Sequence, residues 1–129
     1  MRDIAMNDIS SPNDVVVIGD ALMDYQYWVE DFPRTGEDIK ILSSSKNCGG
    51  SSSNSAIALG YLGVPSAFCG RIGRDESGFE ILRQMESVGL NTTCMQYGDN
   101  TGYTLTIIDK NAERTMFSYR GAASEPFQL

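Results

Sequence analysis

The sequence contains no histidine among its 129 residues. This absence excludes the Ser-His-Asp triad, histidine general bases and every zinc site that needs an imidazole ligand. Cysteine is also sparse, and the three present, Cys48, Cys69 and Cys94, form no C-x-x-C pair. An odd number of widely spaced cysteines is typical of reduced thiols in a cytoplasmic protein. We therefore expect neither a disulfide framework nor a metal site in this chain.

Positive charge and long apolar runs are scarce as well. Lys and Arg number 10 against 17 Asp and Glu, which gives a net charge of −7. Because Lys and Arg are the main ligands of phosphate backbones and anionic lipids, this balance disfavours nucleic acids and membranes as partners. No apolar run approaches the length of a membrane span. Residues 1–14 are polar and lack the apolar core of a signal peptide, so we expect a flexible leader followed by one domain over residues 15–129.

Hydrophobic patterning predicts an α/β domain. Residues 15–18 are an unbroken β-branched run, which is typical of a parallel strand covered on both faces. A first helix is predicted to start within the serine run 51–53, and Ser77 with Glu80 form a capping box for a second. Apolar and polar residues alternate over residues 103–119, which predicts a β-hairpin appended to this core. The expected buried face of the first helix consists of Asn54, Ile57, Ala58, Tyr61 and Leu62.

The glycine pair Gly49-Gly50, just ahead of the first helix, has two interpretations. One is a turn in which the following serines cap the helix. The other is a binding site, because the free N–H groups of a helix start favour oxygen-rich or anionic ligands. Asn54 would add a donor and an acceptor for hydroxyl groups. Asp20 and Asp24 follow the first strand, where α/β proteins collect ligands, although solvated loop acids fit the same pattern.

Five segments, taken in chain order, resemble the ribokinase family of PfkB-type carbohydrate kinases. They are GDALMD (19–24), FPRTGE (32–37), GGSSSNSA (49–56), GRIGRDESG (70–78) and ERTMFSYRGA (113–122). The fourth looks like the family's G-x-x-G-x-D-x-x-G segment. The fifth is similar to a stretch in fructokinase-like and ketodeoxygluconate kinase-like members. The resemblance implies part of a ribokinase-like fold, which is a doubly wound, Rossmann-like sheet with a small β-sheet lid formed by strands at about 25–45 and 101–120.

The resemblance also implies roles for individual residues. Asp24 would bind sugar hydroxyls. Gly49, Gly50 and Asn54 would contact the sugar from the start of the helix. Arg120 would pair with a carboxylate or phosphate of the substrate. Ser51 and Leu22 stand where ribokinase-like members carry Lys and often Asn, which argues against ribose. The expected substrate-binding residues are Asp24, Gly49, Gly50, Asn54, Tyr103 and Arg120.

The implied activity of the complete protein is ATP-dependent, Mg²⁺-assisted phosphorylation of a sugar. The family's D-T-x-G-A-G-D segment, which supplies the catalytic aspartate, does not occur in these 129 residues. We therefore expect this chain to carry the sugar-binding half, to bind no ATP or Mg²⁺ by itself, and to be inactive alone. A homo-oligomer, such as a dimer, is expected through the lid or an exposed sheet edge.

Three alternatives stay open at this point. One is a nucleoside kinase of the same family, with Tyr25, Trp28 and Phe32 available for a base slot. Another is a truncated sugar-binding module without turnover. The third is an unrelated α/β domain with chance matches to the motifs.

Overall fold

The architecture is that of a computed structural model, which describes residues 14–128. The predicted leader, apart from Asp14, lies outside the described residues. No helix in the described range is long and apolar enough to cross a membrane. The elements in chain order are β1 (Val15–Ile18), β2 (Leu22–Trp28), β3 (Ser43–Gly49), α1 (Ser51–Tyr61), β4 (Ser66–Cys69), β5 (Arg71–Gly73), α2 (Glu76–Ser87), β6 (Gln96–Gly98), β7 (Tyr103–Ile108), β8 (Arg114–Tyr119) and a short 3₁₀ turn (Gly121–Ser124).

The α/β part contains two parallel strand pairs and both helices. β1 pairs with β4, and β5 pairs with β6. The α/β fold class predicted from the sequence is confirmed. The hydrophobic core lies where the helices cover these strands, and its apolar side chains are removed from water. Its largest fully buried members are Phe68, Met23, Ile72, Ile81 and Met85, of which Met23 comes from β2.

A separate four-stranded sheet has the order β3-β2-β7-β8. β2 is antiparallel to β3 but parallel to β7, and β7 forms the predicted hairpin with β8. Side chains alternate between the two faces of a strand. Asp24 and Gln26 therefore share one face of this sheet, while Tyr25 and Tyr27 share the other.

The predicted buried face of α1 is wrong. α1 buries Ser53 and Ala56, whereas Tyr61 and Leu62 are 79% and 77% exposed. Gly60 faces the end of α2, where an added Cβ would lie 2.6 Å from the Val88 side chain and 2.7 Å from the Val88 carbonyl oxygen, so this face of α1 has no room for a side chain.

The predicted cap of α2 is also wrong. The N-cap is Asp75, whose carboxylate accepts a hydrogen bond from the Gly78 N–H at 2.8 Å. Ser77 lies inside the helix, where its hydroxyl is 3.3 Å from that of Tyr25. Asp75 takes the cap because its extended backbone aims the carboxylate at the helix start.

Candidate functional site

A cavity of about 550 Å³ lies between the start of α1 and one face of the four-stranded sheet. Five of the six sequence-predicted site residues line it, although they come from four different places in the chain. Its charged side chains are two acids and two arginines. The predicted residues brought together here are Asp24, Gly49, Gly50, Asn54 and Arg120.

Tyr103 is the predicted residue that the structure does not bring to this cavity. It lies on the opposite face of the sheet because it precedes Thr104, which faces the cavity. Its ring meets Tyr25 edge-on at 6.2 Å between centroids and Tyr119 at 5.3 Å. Tyr103 thus lines a second cleft, of about 430 Å³, on the far side of the sheet.

The Asp24 carboxylate is held by two side chains on its own sheet face. The Thr106 hydroxyl donates to Oδ1 at 3.0 Å, and Gln26 Nε2 donates to Oδ2 at 3.0 Å. Gln26 is itself oriented by the Ser45 hydroxyl, which donates to its Oε1 at 3.3 Å. Each carboxylate oxygen keeps acceptor capacity after these bonds. Asp24 can therefore accept two hydroxyl groups from a ligand at a fixed position.

The glycine pair is required by the local packing and also opens the helix start to the cavity. Gly50 has φ +99°, and a Cβ there would lie 2.7 Å from the Asp20 carbonyl oxygen. A Cβ on Gly49 would lie 3.0 Å from that of Asp24. No side chain of the described residues caps α1. The first N–H groups of the helix are therefore available to oxygen atoms of a ligand.

Arginines from β8 and just beyond it bring positive charge to the cavity. Arg120 forms an ion pair with Asp20, and Arg114 also lines the cavity. The Arg120 side chain is 52% exposed, so a stronger anionic partner can compete with Asp20 for it. The site combines hydroxyl acceptors with guanidinium groups, which suits a polyhydroxylated ligand that can also carry an acidic group.

Several residues that line the cavity were not predicted from the sequence, although the two-residue periodicity of a strand could have identified them. Side chains two positions apart on a strand share a face, and Asp24 is opposite both Asn47 and Thr104 in register. Once the strand pairing is known, every second residue from Asp24 along β2, and the residues in register with these on the neighbouring strands, can be assigned to the same face. The missed residues are Gln26, Asn47, Thr104, Thr106, Arg114 and Ser118.

Asp75, in the G-x-x-G-x-D-x-x-G segment, joins the start of α2 to Thr101, which lies two residues ahead of β7. Its carboxylate accepts from the Thr101 N–H at 2.8 Å and from the Thr101 hydroxyl at 2.6 Å, besides the bond from Gly78. Burial disfavours the charged form, but the hydrogen bonds from Thr101 and Gly78 outweigh it and hold the pKa of this carboxyl below its ordinary value. Asp75 thereby fixes the start of β7 next to α2.

The described residues do not fit a metal-nucleotide site. No group of three or more His, Cys, Asp and Glu side chains within 14–128 could hold a metal ion. Neither a P-loop nor a G-x-G-x-x-G loop occurs in the sequence.

This fold is the ribokinase fold. The Arabidopsis thaliana ribokinase, solved in complex with ribose and ATP, superposes with a TM-score of 0.77 at 24% identity, covering 85% of this chain and 36% of that one. A nucleoside kinase from Methanocaldococcus jannaschii, an archaeal member of the ribokinase family, gives a TM-score of 0.74 at 27% identity over 84% of this chain and 37% of that one.

Sequence comparison identifies the family. Residues 12–129 match the pfkB family carbohydrate kinases, and this chain belongs to that family. The 5-dehydro-2-deoxygluconokinase of Lacticaseibacillus casei is 32% identical over 87% of this chain and 34% of its own length. The chain spans about a third of the length of the curated relatives it matches. The resemblance stated from the five segments is confirmed.

Proposed function

We propose that the complete protein transfers the γ-phosphoryl group of ATP to a hydroxyl of a sugar, and that this chain supplies the sugar-binding half. The observation that carries the proposal is the Asp24 carboxylate, fixed by Thr106 and Gln26 in the same cavity as the uncapped start of α1. Vicinal hydroxyls fit a carboxylate with free acceptor sites. In this proposal the four-stranded sheet is the lid over the sugar.

Among sugars, the cavity favours a ketose or a sugar acid, as fructokinase-like or ketodeoxygluconate kinase-like enzymes use. Arg114 and Arg120 provide cations for a carboxylate or phosphate. The Lacticaseibacillus casei relative, named as a 5-dehydro-2-deoxygluconokinase, is consistent with this choice.

The nucleoside kinase alternative has weaker support from the cavity. No aromatic side chain of the described residues lines it. Tyr25, one of the aromatics considered for a base slot, lines the cleft on the opposite face of the sheet. A purine or pyrimidine would therefore find no stacking partner in this part of the site.

ATP and Mg²⁺ would be held by the remainder of the complete protein, together with the catalytic aspartate. The metal-nucleotide complex would supply the phosphoryl group and offset its charge. The 129-residue chain alone would then bind the sugar without turnover. We propose a cytoplasmic location for the complete protein, because its co-substrate ATP is available there and a buried thiol such as that of Cys48 stays reduced.

The test is an ATP-dependent phosphorylation assay on the full-length protein with ketoses, sugar acids, pentoses and nucleosides. Asp24→Asn should raise the KM for the preferred sugar about 10-fold or more, because a charge-assisted hydrogen bond contributes about 1.5–3 kcal/mol. Asp38→Asn, an exposed acid that does not line the cavity, is the matched control. Equal sugar kinetics in the two variants would contradict the role of Asp24. An intact mass of 14.1 kDa for the native protein would contradict the kinase proposal and favour the sugar-binding module without turnover.

A further inference from the structure

Two of the three cysteines face the same cleft on the α/β part of the molecule. Cys69 is the last residue of β4 and is buried, whereas Cys94 lies in the connection before β6 and is exposed. Both line a cleft of about 480 Å³. This cleft is distinct from the proposed sugar cavity, with which it shares no lining residue.

The backbone on either side of this pair is fastened by hydrogen bonds. The Phe68 N–H donates to the Asn91 carbonyl at 2.9 Å, before the cysteines, and the Gln96 N–H donates to the Gly70 carbonyl at 2.9 Å, after them. Hydrogen bonds therefore join the segment that carries Cys69 to the segment that carries Cys94, one residue before and one residue after Cys69. Cys94 lies between these two hydrogen bonds, in a turn that is closed by the bond from the Met95 N–H to the Thr92 carbonyl.

The two thiols differ in their access to solvent. Burial, together with the charge and hydrogen bonding of the neighbouring Cys94 thiol, raises the pKa of Cys69, which keeps that thiol protonated. Cys94 is the thiol that an oxidant in solution reaches first. Cys48 is buried elsewhere, and burial raises the pKa of its thiol to about 11 against a smaller opposing effect of Ser53.

We propose that Cys69 and Cys94 form a reversible disulfide, with a peroxide as the oxidant and Cys94 as the residue that reacts first. The Cys94 sulfur attacks one peroxide oxygen, the O–O bond breaks, and a sulfenic acid and one water form. The Cys69 sulfur then attacks the Cys94 sulfur, the S–O bond breaks, and the departing hydroxide takes the Cys69 proton as a second water. Two thiols are oxidised and one hydrogen peroxide is reduced to two waters.

The test is peptide mapping of the full-length protein with and without hydrogen peroxide, after free thiols are alkylated. Trypsin places Cys94 in peptide 84–110 and both other cysteines in peptide 47–71, and chymotrypsin cleavage after Tyr61 then separates Cys48 from Cys69. We expect a cross-link between the fragments that carry Cys69 and Cys94, loss of alkylation at both residues, and full recovery of both thiols with dithiothreitol. Cys94→Ser, at an exposed position, should abolish the cross-link and leave Cys69 reduced.

Two outcomes would overturn the proposal. One is a cross-link that contains Cys48 in place of Cys69. The other is oxidation of Cys94 to the sulfinic acid with Cys69 still alkylated as a free thiol, which would show that the pair cannot close.

Discussion

Two aspartates, Asp24 and Asp75, illustrate at the residue scale how neighbours decide what a carboxylate does. Asp24 receives two side-chain hydrogen bonds and faces a cavity with acceptor capacity left over. Asp75 receives three bonds, from Gly78 and Thr101, which span a helix start and the residues ahead of a strand. The first arrangement is suited to a ligand, whereas the second stabilises the fold.

Replacing Asp75 should therefore lower stability in a pH-dependent way. Asp75→Asn turns an acceptor toward the Thr101 N–H into a donor, so we expect a loss of about 1–3 kcal/mol in unfolding free energy at neutral pH. Because the folded pKa of Asp75 is lowered, its ionisation stabilises the protein above the ordinary value of 3.8, and that contribution disappears as the pH falls through the lower folded value.

The measurement is denaturant unfolding of the full-length protein and of the variant between neutral and strongly acidic pH. The difference in stability between them should shrink over the acidic range, and Asp38→Asn should show no such convergence. A constant difference at all pH values would show that the charge of Asp75 does not stabilise the fold.

At the scale of elements, the junction between β3 and α1 depends on Gly50. Its positive φ disfavours any other residue, and the nearby Asp20 carbonyl leaves no room for a Cβ. The same junction places the helix start and the end of β3 beside the cavity. Fold and site are therefore coupled at one backbone position.

Gly50→Ala should lower stability more than Gly36→Ala, because both glycines have positive φ but only Gly50 lies close to another backbone atom. Gly36 has φ +85° and nothing within 4 Å of an added Cβ, so Gly36→Ala isolates the conformational cost, which is about 1–2 kcal/mol. Gly50→Ala adds the contact with Asp20, and we expect a larger loss of stability together with weaker substrate binding. Urea unfolding and substrate titration of both variants measure this, and equal losses would contradict the role of the contact.

The elements that the sequence predicts well are those defined by local patterns. Strand alternation reveals the β7–β8 hairpin, and the glycine pair marks the start of α1. The buried face of α1 differs from the predicted one because it is set by the elements that pack on the helix, including the end of α2 at Val88, which lies close to Gly60 in space but far from it in sequence. Asp24 is the last residue of the GDALMD segment, so the motif points to it directly. The alternation of apolar and polar residues in β7 does not say which face of the strand meets the cavity, and the structure places Tyr103 on the opposite face from Asp24.

On the scale of the whole molecule, β1 presents an uncovered apolar surface. Val16 and Ile18 are 55% and 56% exposed, although they belong to a strand of the α/β sheet. β1 pairs with β4, and within residues 14–128 no strand pairs with its other edge. Exposed apolar surface beside a free strand edge favours association.

We therefore expect the isolated 129-residue chain to self-associate. Sedimentation velocity should show species larger than 14.1 kDa, and the double variant Val16→Ser, Ile18→Ser should move the distribution toward monomer. A monomeric wild-type chain with cooperative thermal unfolding would contradict this expectation.

The parallel pairing of β2 with β7 also sets the order in which the molecule can be assembled. Met23 lies opposite Tyr103, so the two strands are separated by more than half the length of the chain. Closing so long a loop is entropically costly and slow compared with forming the neighbouring β2–β3 and β7–β8 hairpins. During synthesis on a ribosome, β2 must wait for β7 to emerge. Asp24 therefore acquires its partner Thr106 only late, and the cavity that both residues line is among the last parts of this chain to form.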